Sequence, residues 1–178
     1  MKIVEVNAYH VRPRWGFVEI ITDEGITGWG EAVLEGHCDA VLACVQEYRS
    51  YLIGQDPFRI EDISATIFRA GFYRGGGVLM SALSGIDQAL WDIKGKAFGA
   101  PAYELMGGKC RDKIKVYSWI GGDRPDDVAK AALERKKMGF DAVKMNATEE
   151  LHYVDTFDKV QAVVDRVASI REVLGNDF

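Results

Sequence analysis

Lys144 and Asn146 are the side chains of this sequence with the best placement for chemistry. They end the short apolar run 140–146, whose alternation is typical of a β-strand, so both side chains point to the same face of that strand. If the strand belongs to a parallel barrel, its carboxyl end lies where active sites are built. Lys144 can act there as a base or as an electrostatic stabiliser of an enolate. A strand-end lysine that only reaches solvent is the competing interpretation.

Two loops earlier in the chain carry further candidate binding residues. The loop 12–17 combines Arg14 with Trp15, a cation and an indole that together can grip a carboxylate or a polyol. Packing of the indole against the neighbouring proline is the alternative. A glycine-rich loop, GFYRGGG, contains Tyr73 and Arg74 and is interpreted as a mobile flap that carries a donor, with a plain surface loop as the alternative.

Other common chemistries find no support in the residue pattern. The histidines are scattered, and His, Asp and Glu nowhere recur at the spacing of metal ligands. The run of three glycines lacks the Lys-Ser/Thr of a phosphate loop. Glu149 and Glu150 read as a solvated charge pair after the candidate strand. Asp87 and Asp92 lie on an apolar helix and are interpreted as structural groups, because polar residues on a packed helix usually satisfy neighbouring backbone.

The composition excludes several classes of protein. The chain has 178 residues, 48% of them hydrophobic and 28% charged, as is typical of a soluble globular protein. The net charge of −5 argues against a nucleic-acid surface. No apolar run approaches the length of a membrane span. The three cysteines, Cys38, Cys44 and Cys110, have no ligand spacing, so we expect reduced thiols in a cytoplasmic protein.

The first part of the chain has the pattern of an α+β domain. A strand over 2–10 should place Val4, Val6 and Ala8 on one face. An Asp-Glu-Gly turn then favours a hairpin of two further strands. Helical periodicity follows, with Ile60, Ile63 and Ile67 on one inner face. The remaining predicted elements are strands 17–22 and 26–31 and helices 39–52 and 78–98. A meander of strands followed by helices is the α+β order.

Beyond Lys113 the pattern changes to strand, helix, strand, helix, the opening of a parallel α/β structure. The last helix is marked by the apolar residues Val154, Phe157, Val160, Val164, Val167, Ile170 and Leu174. Asp177 and Phe178 are interpreted as the first steps of a third strand. Two such units leave an apolar strand edge bare. The predicted elements are strands 114–120 and 140–146 and a helix over 126–138.

Several segments resemble one known family. The run from Ala82 to Gly107 resembles the N-terminal signature of the mandelate racemase/muconate lactonizing branch of the enolase superfamily. The GWGE sequence that ends at Glu31 is similar to that family's second strand, and Lys144-Met145-Asn146 stands where the family carries a K-x-K or K-x-N motif. Segments 12–15, 51–57, 69–76, 84–96 and 121–128 more narrowly resemble acid-sugar dehydratases of this group.

The resemblance implies an α+β capping domain, a three-stranded meander plus a helical bundle, over a TIM-type (β/α)₇β barrel. Residues 1–113 would be the cap and residues 114–178 the first two βα units of the incomplete barrel. In the family, three carboxylates at the ends of the third, fourth and fifth barrel strands hold Mg²⁺, which stabilises the enediolate formed when a base removes the α-proton. A histidine then helps to expel the β-hydroxyl, which gives a 2-keto-3-deoxy acid. The expected substrate is D-galactonate, with gluconate or mannonate as alternatives.

The resemblance also places the family's first metal-binding aspartate and a catalytic histidine just beyond Phe178. We therefore expect residues 1–178 to stop before the third barrel strand, to hold no Mg²⁺ site and to be inactive alone. The complete enzyme should need Mg²⁺. Racemases of the group use a lysine base where Asn146 stands, and an amide cannot deprotonate carbon, so the resemblance favours a dehydratase.

The expected substrate-binding residues are Arg14, Trp15, Tyr73, Arg74, Lys144 and Asn146. Lys144 can also have an electrostatic role in catalysis. We expect a homo-oligomer without nucleic-acid or membrane partners. A non-catalytic assembly module from a truncated gene is the alternative function.

Overall fold

The computed structural model describes residues 1–122, 124–148 and 150–178 of the chain. These residues form two compact units, Met1–Cys110 and Arg111–Phe178. The first unit contains an antiparallel sheet with helices, and the second contains a parallel strand pair with helices. The fold class predicted from the sequence is therefore confirmed.

The sheet of the first unit is a three-stranded meander. Strands β1 (Ile3–Val11), β2 (Trp15–Thr22) and β3 (Thr27–Glu31) pair antiparallel in the order β1-β2-β3. The predicted hairpin turn joins β2 to β3, and its Gly25 has a φ of 80°, which glycine adopts without strain. Alternate residues of β2, among them Val18 and Ile20, are fully buried, so one face of the sheet packs on the core.

The predicted inner face of β1 is wrong at one residue. The pairing of β1 with β2 shifts register between Ile3 and Glu5, which is a β-bulge. The bulge places Ile3 and Val6 in the core at 1% exposure each, while Val4 is 49% exposed. An extra residue in one strand breaks the strict alternation on which the prediction relied.

Four helices complete the first unit. They are α1 (Cys38–Leu52), α2 (Ile60–Ala70), α3 (Gly77–Phe98) and the short α4 (Ala102–Leu105). Residues Ile60, Ile63 and Ile67 are buried on one side of α2, as predicted. Helix α3 carries the longest buried stripe, and its Gly99 closes the helix in the left-handed conformation with a φ of 64°.

Side chains of α3 satisfy the free edge of β3. Asp92 accepts a hydrogen bond from the backbone N–H of Trp29 at 2.9 Å. Lys96 donates to the carbonyl of Thr27 at 2.7 Å, and Gln88 bonds both the N–H and the carbonyl of Glu31. Since an unpaired strand edge invites association with other chains, this helix protects the sheet. Asp92 is thus structural, as interpreted from the sequence.

The second unit contains two βα units with a small core. Strand β4 (Ser118–Trp119) pairs in parallel with β5 (Val143–Lys144). Helix α5 (Pro125–Lys137) follows β4, and helix α6 (Phe157–Leu174) follows β5. The strands are shorter than predicted because the parallel pairing extends over two residues of each strand only. The buried core residues are Ile120, Val128, Ala132, Ile170 and Leu174.

Most of the apolar face predicted for the last helix is exposed. Four residues of α6 at helical spacing, which we call the α6 stripe, are 40% to 76% exposed: Phe157, Val160, Val164 and Val167. Ile170 and Leu174 are buried as predicted. The expected strand start at the chain end is wrong: Asp177 forms a turn, and Phe178 is held because Arg171 donates to its carbonyl at 2.6 Å.

Three side chains of the first unit have titration properties set by burial. Burial raises the pKa of the Cys38 and Cys44 thiols. Burial, with a hydrogen bond to Cys44, raises the pKa of Tyr48 to about 12. Cys110 is exposed.

The described parts of the chain contain no helix with the length and apolar character needed to cross a membrane.

Candidate active-site surface

The carboxyl end of the parallel strand pair brings Lys144 beside an aromatic residue. Trp119 and Lys144 are register partners across β4 and β5. Two backbone hydrogen bonds flank them, from Ser118 N–H to the carbonyl of Ala142 at 3.2 Å and from Ile120 N–H to the carbonyl of Lys144 at 2.9 Å. The Lys144 ammonium lies 4.4 Å from the centroid of the Trp119 ring, which is a cation–π contact.

Alternation along the strands decides which way these side chains face. Ile120, Val143 and Met145 belong to the cluster that packs against α5 and α6. Trp119 and Lys144 alternate with them, so they point to the face away from the helices. Both are exposed on that face. The structure therefore places Lys144 at a strand end and on an open face, as predicted.

Asn146 lies two residues after Lys144 and is also exposed. The backbone directly after it is held by Arg166, whose Nη1 donates to the carbonyl of Ala147 at 3.3 Å. Arg166 is 3% exposed, so this contact fixes the loop from inside the unit. Glu150 is exposed, and Glu149 lies outside the described residues.

Arg14, in the loop between β1 and β2, contacts Trp15, the first residue of β2. The Arg14 guanidinium lies 4.9 Å from the Trp15 ring centroid and forms an ion pair with Glu35. Both partners of the ion pair are about half exposed or more. The arginine is thus available at the surface, but its charge is already matched by a carboxylate that a substrate would have to displace or share.

Tyr73 and Arg74 lie on an exposed loop before α3. The Tyr73 side chain is 86% exposed, and Phe72 beside it is 93% exposed. Gly75 and Gly76 follow with φ of 76° and 83°, a conformation that favours glycine. Tyr73 also lines a cavity of about 290 Å³ between α1, α2 and α3.

Arg14 and the start of α3 contact neighbouring residues of one segment. Arg14 pairs with Glu35, and the neighbouring Leu34 lies against the start of α3, where a Cβ on Gly77 would be 3.0 Å from Leu34 Cδ2. The structure therefore places Arg14 and Gly77 along the same stretch of chain. Lys144 and Asn146 belong to the second unit.

Metal ligands are not assembled in the described part of the chain. No three His, Cys, Asp or Glu side chains converge there as a metal site requires. At the strand end, the Lys144 ammonium repels a cation, and Asn146 offers one neutral oxygen. The described residues thus do not fit the Mg²⁺ that the family resemblance implies, and we derive no chemical step through a metal.

Trp119 is the residue at this surface that the sequence analysis missed. A tryptophan within an apolar strand is typical of core packing, so the residue type alone did not indicate a role at the candidate site. The available signal was its position, since it lies at the carboxyl end of its strand, two residues before Gly121 and Gly122. Its pairing with Lys144 required the register of β4 against β5, which the sequence does not specify.

An antiparallel α+β unit followed in the chain by parallel βα units is the element order of an N-terminal α+β domain joined to the start of a β/α barrel. Residues 8–107 match the model of the mandelate racemase / muconate lactonizing enzyme N-terminal domain, and the chain belongs to this family. The suspected family membership is confirmed.

Known relatives and solved structures agree with this assignment. The chain is 57% identical to D-galactonate dehydratase of Pectobacterium atrosepticum over 178 residues, which is 100% of the chain and 47% of the relative. The chain therefore spans about half the length of the curated relatives it matches. An enolase-superfamily member from Salmonella Typhimurium has a TM-score of 0.91 at 34% identity, over 99% of this chain and 52% of that one.

A second solved structure carries a ligand and a metal. It is an enolase from Pantoea ananatis with bound D-gluconate and Mg, with a TM-score of 0.86 at 30% identity. The match covers 99% of this chain and 51% of the neighbour. The neighbour is thus an enolase-superfamily fold that holds an acid sugar and Mg together.

Proposed function

We propose that this chain forms the cap and the first two barrel units of a hydro-lyase that converts D-galactonate to 2-keto-3-deoxygalactonate and water. The observation that carries the proposal is the position of Lys144 at the carboxyl end of β5, exposed beside Trp119, with Asn146 exposed two residues later. The identity of 57% with a D-galactonate dehydratase over the whole chain supports the substrate.

The residues at the strand end have distinct roles in the proposed reaction. Removal of the proton next to the carboxylate builds negative charge on an enediolate. The Lys144 ammonium is a cation that can stabilise this charge electrostatically. Asn146 has an amide that can donate to and accept from the substrate, but it cannot remove a proton from carbon. This pair suits binding and charge stabilisation, and the proton transfers fall to other groups of the complete enzyme.

The cap loops supply the proposed substrate specificity. Arg14 offers a fork of donors for hydroxyl or carboxylate oxygens, and Trp15 offers an apolar ring face. Tyr73 and Arg74 lie on a loop whose glycines permit movement over a bound ligand. The same loops would select gluconate or mannonate if the substrate is another acid sugar, and D-gluconate in the Pantoea neighbour makes gluconate the first comparison.

The proposal is tested by continuing residues 1–178 with the matching C-terminal part of the Pectobacterium relative, which we call the completed chain. It should release a 2-keto-3-deoxy acid from D-galactonate faster than from D-gluconate or D-mannonate. Residues 1–178 alone should show no turnover. A completed chain that is folded by circular dichroism and inactive on D-galactonate, when the intact relative is active, would contradict the proposal.

The metal requirement is part of the proposal. We expect Mg²⁺ to be needed by the completed chain, since the Pantoea neighbour binds Mg together with its acid sugar. Titration calorimetry should show saturable Mg²⁺ binding to the completed chain and none to residues 1–178. Saturable binding at about micromolar Mg²⁺ by residues 1–178 would show that the chain holds its own site.

A second candidate function is a non-catalytic assembly module. The observation that favours it is the α6 stripe, four apolar side chains with no covering partner among the described residues. This function predicts that residues 1–178 self-associate, and Val160→Lys in the stripe should then yield monomers. Light scattering that finds a stable monomer for the unmodified chain would count against it. Homo-oligomerisation and a cytoplasmic location otherwise stay predictions.

A further inference from the structure

The indole of Trp119 is the partner of the Lys144 ammonium. The two residues are register partners, and the ammonium lies 4.4 Å from the ring centroid. No described carboxylate forms an ion pair with Lys144, so within the described residues the ring is the group that limits where the ammonium can be. Trp119 is itself 49% exposed, which leaves much of its surface open on the same face of the strands.

Backbone hydrogen bonds hold the strand segment that carries Trp119. Hydrogen bonds to β5 precede and follow it, from the N–H groups of Ser118 and Ile120. Ile120 is 1% exposed and anchors the strand end in the core of the unit. The tryptophan therefore lies on a fixed piece of strand, whereas a lysine side chain alone has four rotatable bonds and loses rotamer entropy when it is held in one place.

We propose that Trp119 is a positioning residue, whose ring face holds the Lys144 ammonium at the point where the enediolate charge develops. The inference rests on the proposed function and names a further residue in it. A flexible lysine side chain loses conformational entropy when its ammonium binds the enediolate. An ammonium that is already held in position loses less entropy in that step. A cation–π contact supplies this placement without neutralising the lysine, which an ion pair with a carboxylate would do.

The contact itself is tested on residues 1–178 by NMR with labelled lysine. Lys144→Arg identifies the Lys144 signals. The indole ring current should shift the ε-CH₂ protons of Lys144 upfield, and Trp119→Leu should abolish the shift while Trp119→Phe keeps part of it. Lys144 signals that are the same in the unmodified chain and in Trp119→Leu would overturn the proposal, whatever the substrate of the enzyme is.

The functional consequence is tested on the completed chain. Trp119→Leu should lower kcat roughly 3- to 30-fold with a smaller change in KM, and Trp119→Phe should restore part of the loss. In a Lys144→Ala background, Trp119→Leu should cause no further loss, because the ring acts through the lysine. Equal losses in both backgrounds would show that Trp119 supports only the fold and would overturn the proposal.

The two tests separate this inference from the proposed function. If the completed chain acts on a different acid sugar, D-galactonate is ruled out as the substrate. The kcat values of the Trp119 variants are then compared with that other sugar. If it acts on none, the proposed function fails and the functional part of this inference fails with it. The NMR comparison still decides whether the ring holds the ammonium.

Discussion

Gly30 of β3 and Gly85 of α3 pack backbone against backbone. A Cβ on Gly30 would overlap the carbonyl oxygen of Gly85, and a Cβ on Gly85 would lie 2.6 Å from the Cβ of Ala32. We expect Gly30→Ala to lower the free energy of unfolding by about 3 kcal/mol or more, because the clash is with backbone and the helix must move away from the sheet. Urea denaturation measures this change.

The matched control for Gly30→Ala is Glu31→Ala, on the neighbouring residue of the same strand, whose side chain is exposed. It should change stability by less than about 0.5 kcal/mol. Equal stability of Gly30→Ala and the unmodified chain would mean that α3 lies farther from β3 than the structure shows.

Asp92 should matter for stability through the edge of β3. Replacing it with alanine leaves the N–H of Trp29 without its acceptor and Lys96 without its ion-pair partner. We expect Asp92→Ala to cost about 0.5–1.5 kcal/mol, because the hydrogen bond is exposed and water can replace the lost acceptor. Asp92→Asn keeps an acceptor oxygen and should cost less. If both variants unfold at the same urea concentration as the unmodified chain, the side chain does not protect the edge.

Tyr48 should make the chain less stable at high pH. Its pKa is raised to about 12 in the fold, while the pKa of an unfolded tyrosine is about 10. Below about pH 10 the hydroxyl is neutral in both states. Between about pH 10 and 12 the unfolded chain loses this proton and the folded chain keeps it, so the free energy of unfolding falls as pH rises.

The Tyr48 contribution is measured by comparing Tyr48→Phe with the unmodified chain in urea across about pH 9 to 12. The phenylalanine variant should lose less stability over this range. Tyr73→Phe removes an exposed hydroxyl and serves as the control. Parallel pH profiles for Tyr48→Phe and the unmodified chain would contradict the expected difference between folded and unfolded states.

Lys144→Ala should reduce turnover in the completed chain and leave the fold intact. Loss of a preorganised charge at a developing anion typically costs about 10²–10³ in kcat. Lys144→Arg keeps the positive charge and should lose less. The measurements are kcat for D-galactonate and the melting curve of each variant. Full activity in Lys144→Ala would remove the lysine from the mechanism.

Regular periodicity made parts of the fold predictable. The side of α2 with Ile60, Ile63 and Ile67 followed directly from helical spacing, because a helix has one period throughout. The face of β1 did not, because a bulge between Ile3 and Glu5 inserts one residue that no pattern of apolar residues marks. Strand lengths in the second unit were overestimated, since pairing and not apolar character decides how far a strand extends.

Individual residues of the candidate site could be predicted from the sequence, but the contacts between them could not. Lys144 was found from its type and its place at a strand end. The contacts that surround candidates were not foreseen, such as the ion pair of Arg14 with Glu35 or the ring of Trp119 under the ammonium. These depend on strand register and loop conformation, which distant parts of the chain determine.

The three thiols differ in accessibility, which allows one of them to be labelled selectively. Cys38 and Cys44 are buried with raised pKa values, so they offer little reactive thiolate, while Cys110 is exposed at the last residue of the first unit. A maleimide dye should therefore attach to the folded chain at Cys110 alone. Energy transfer from tryptophan to that dye would then report the unfolding of each unit from a single attachment point at their junction.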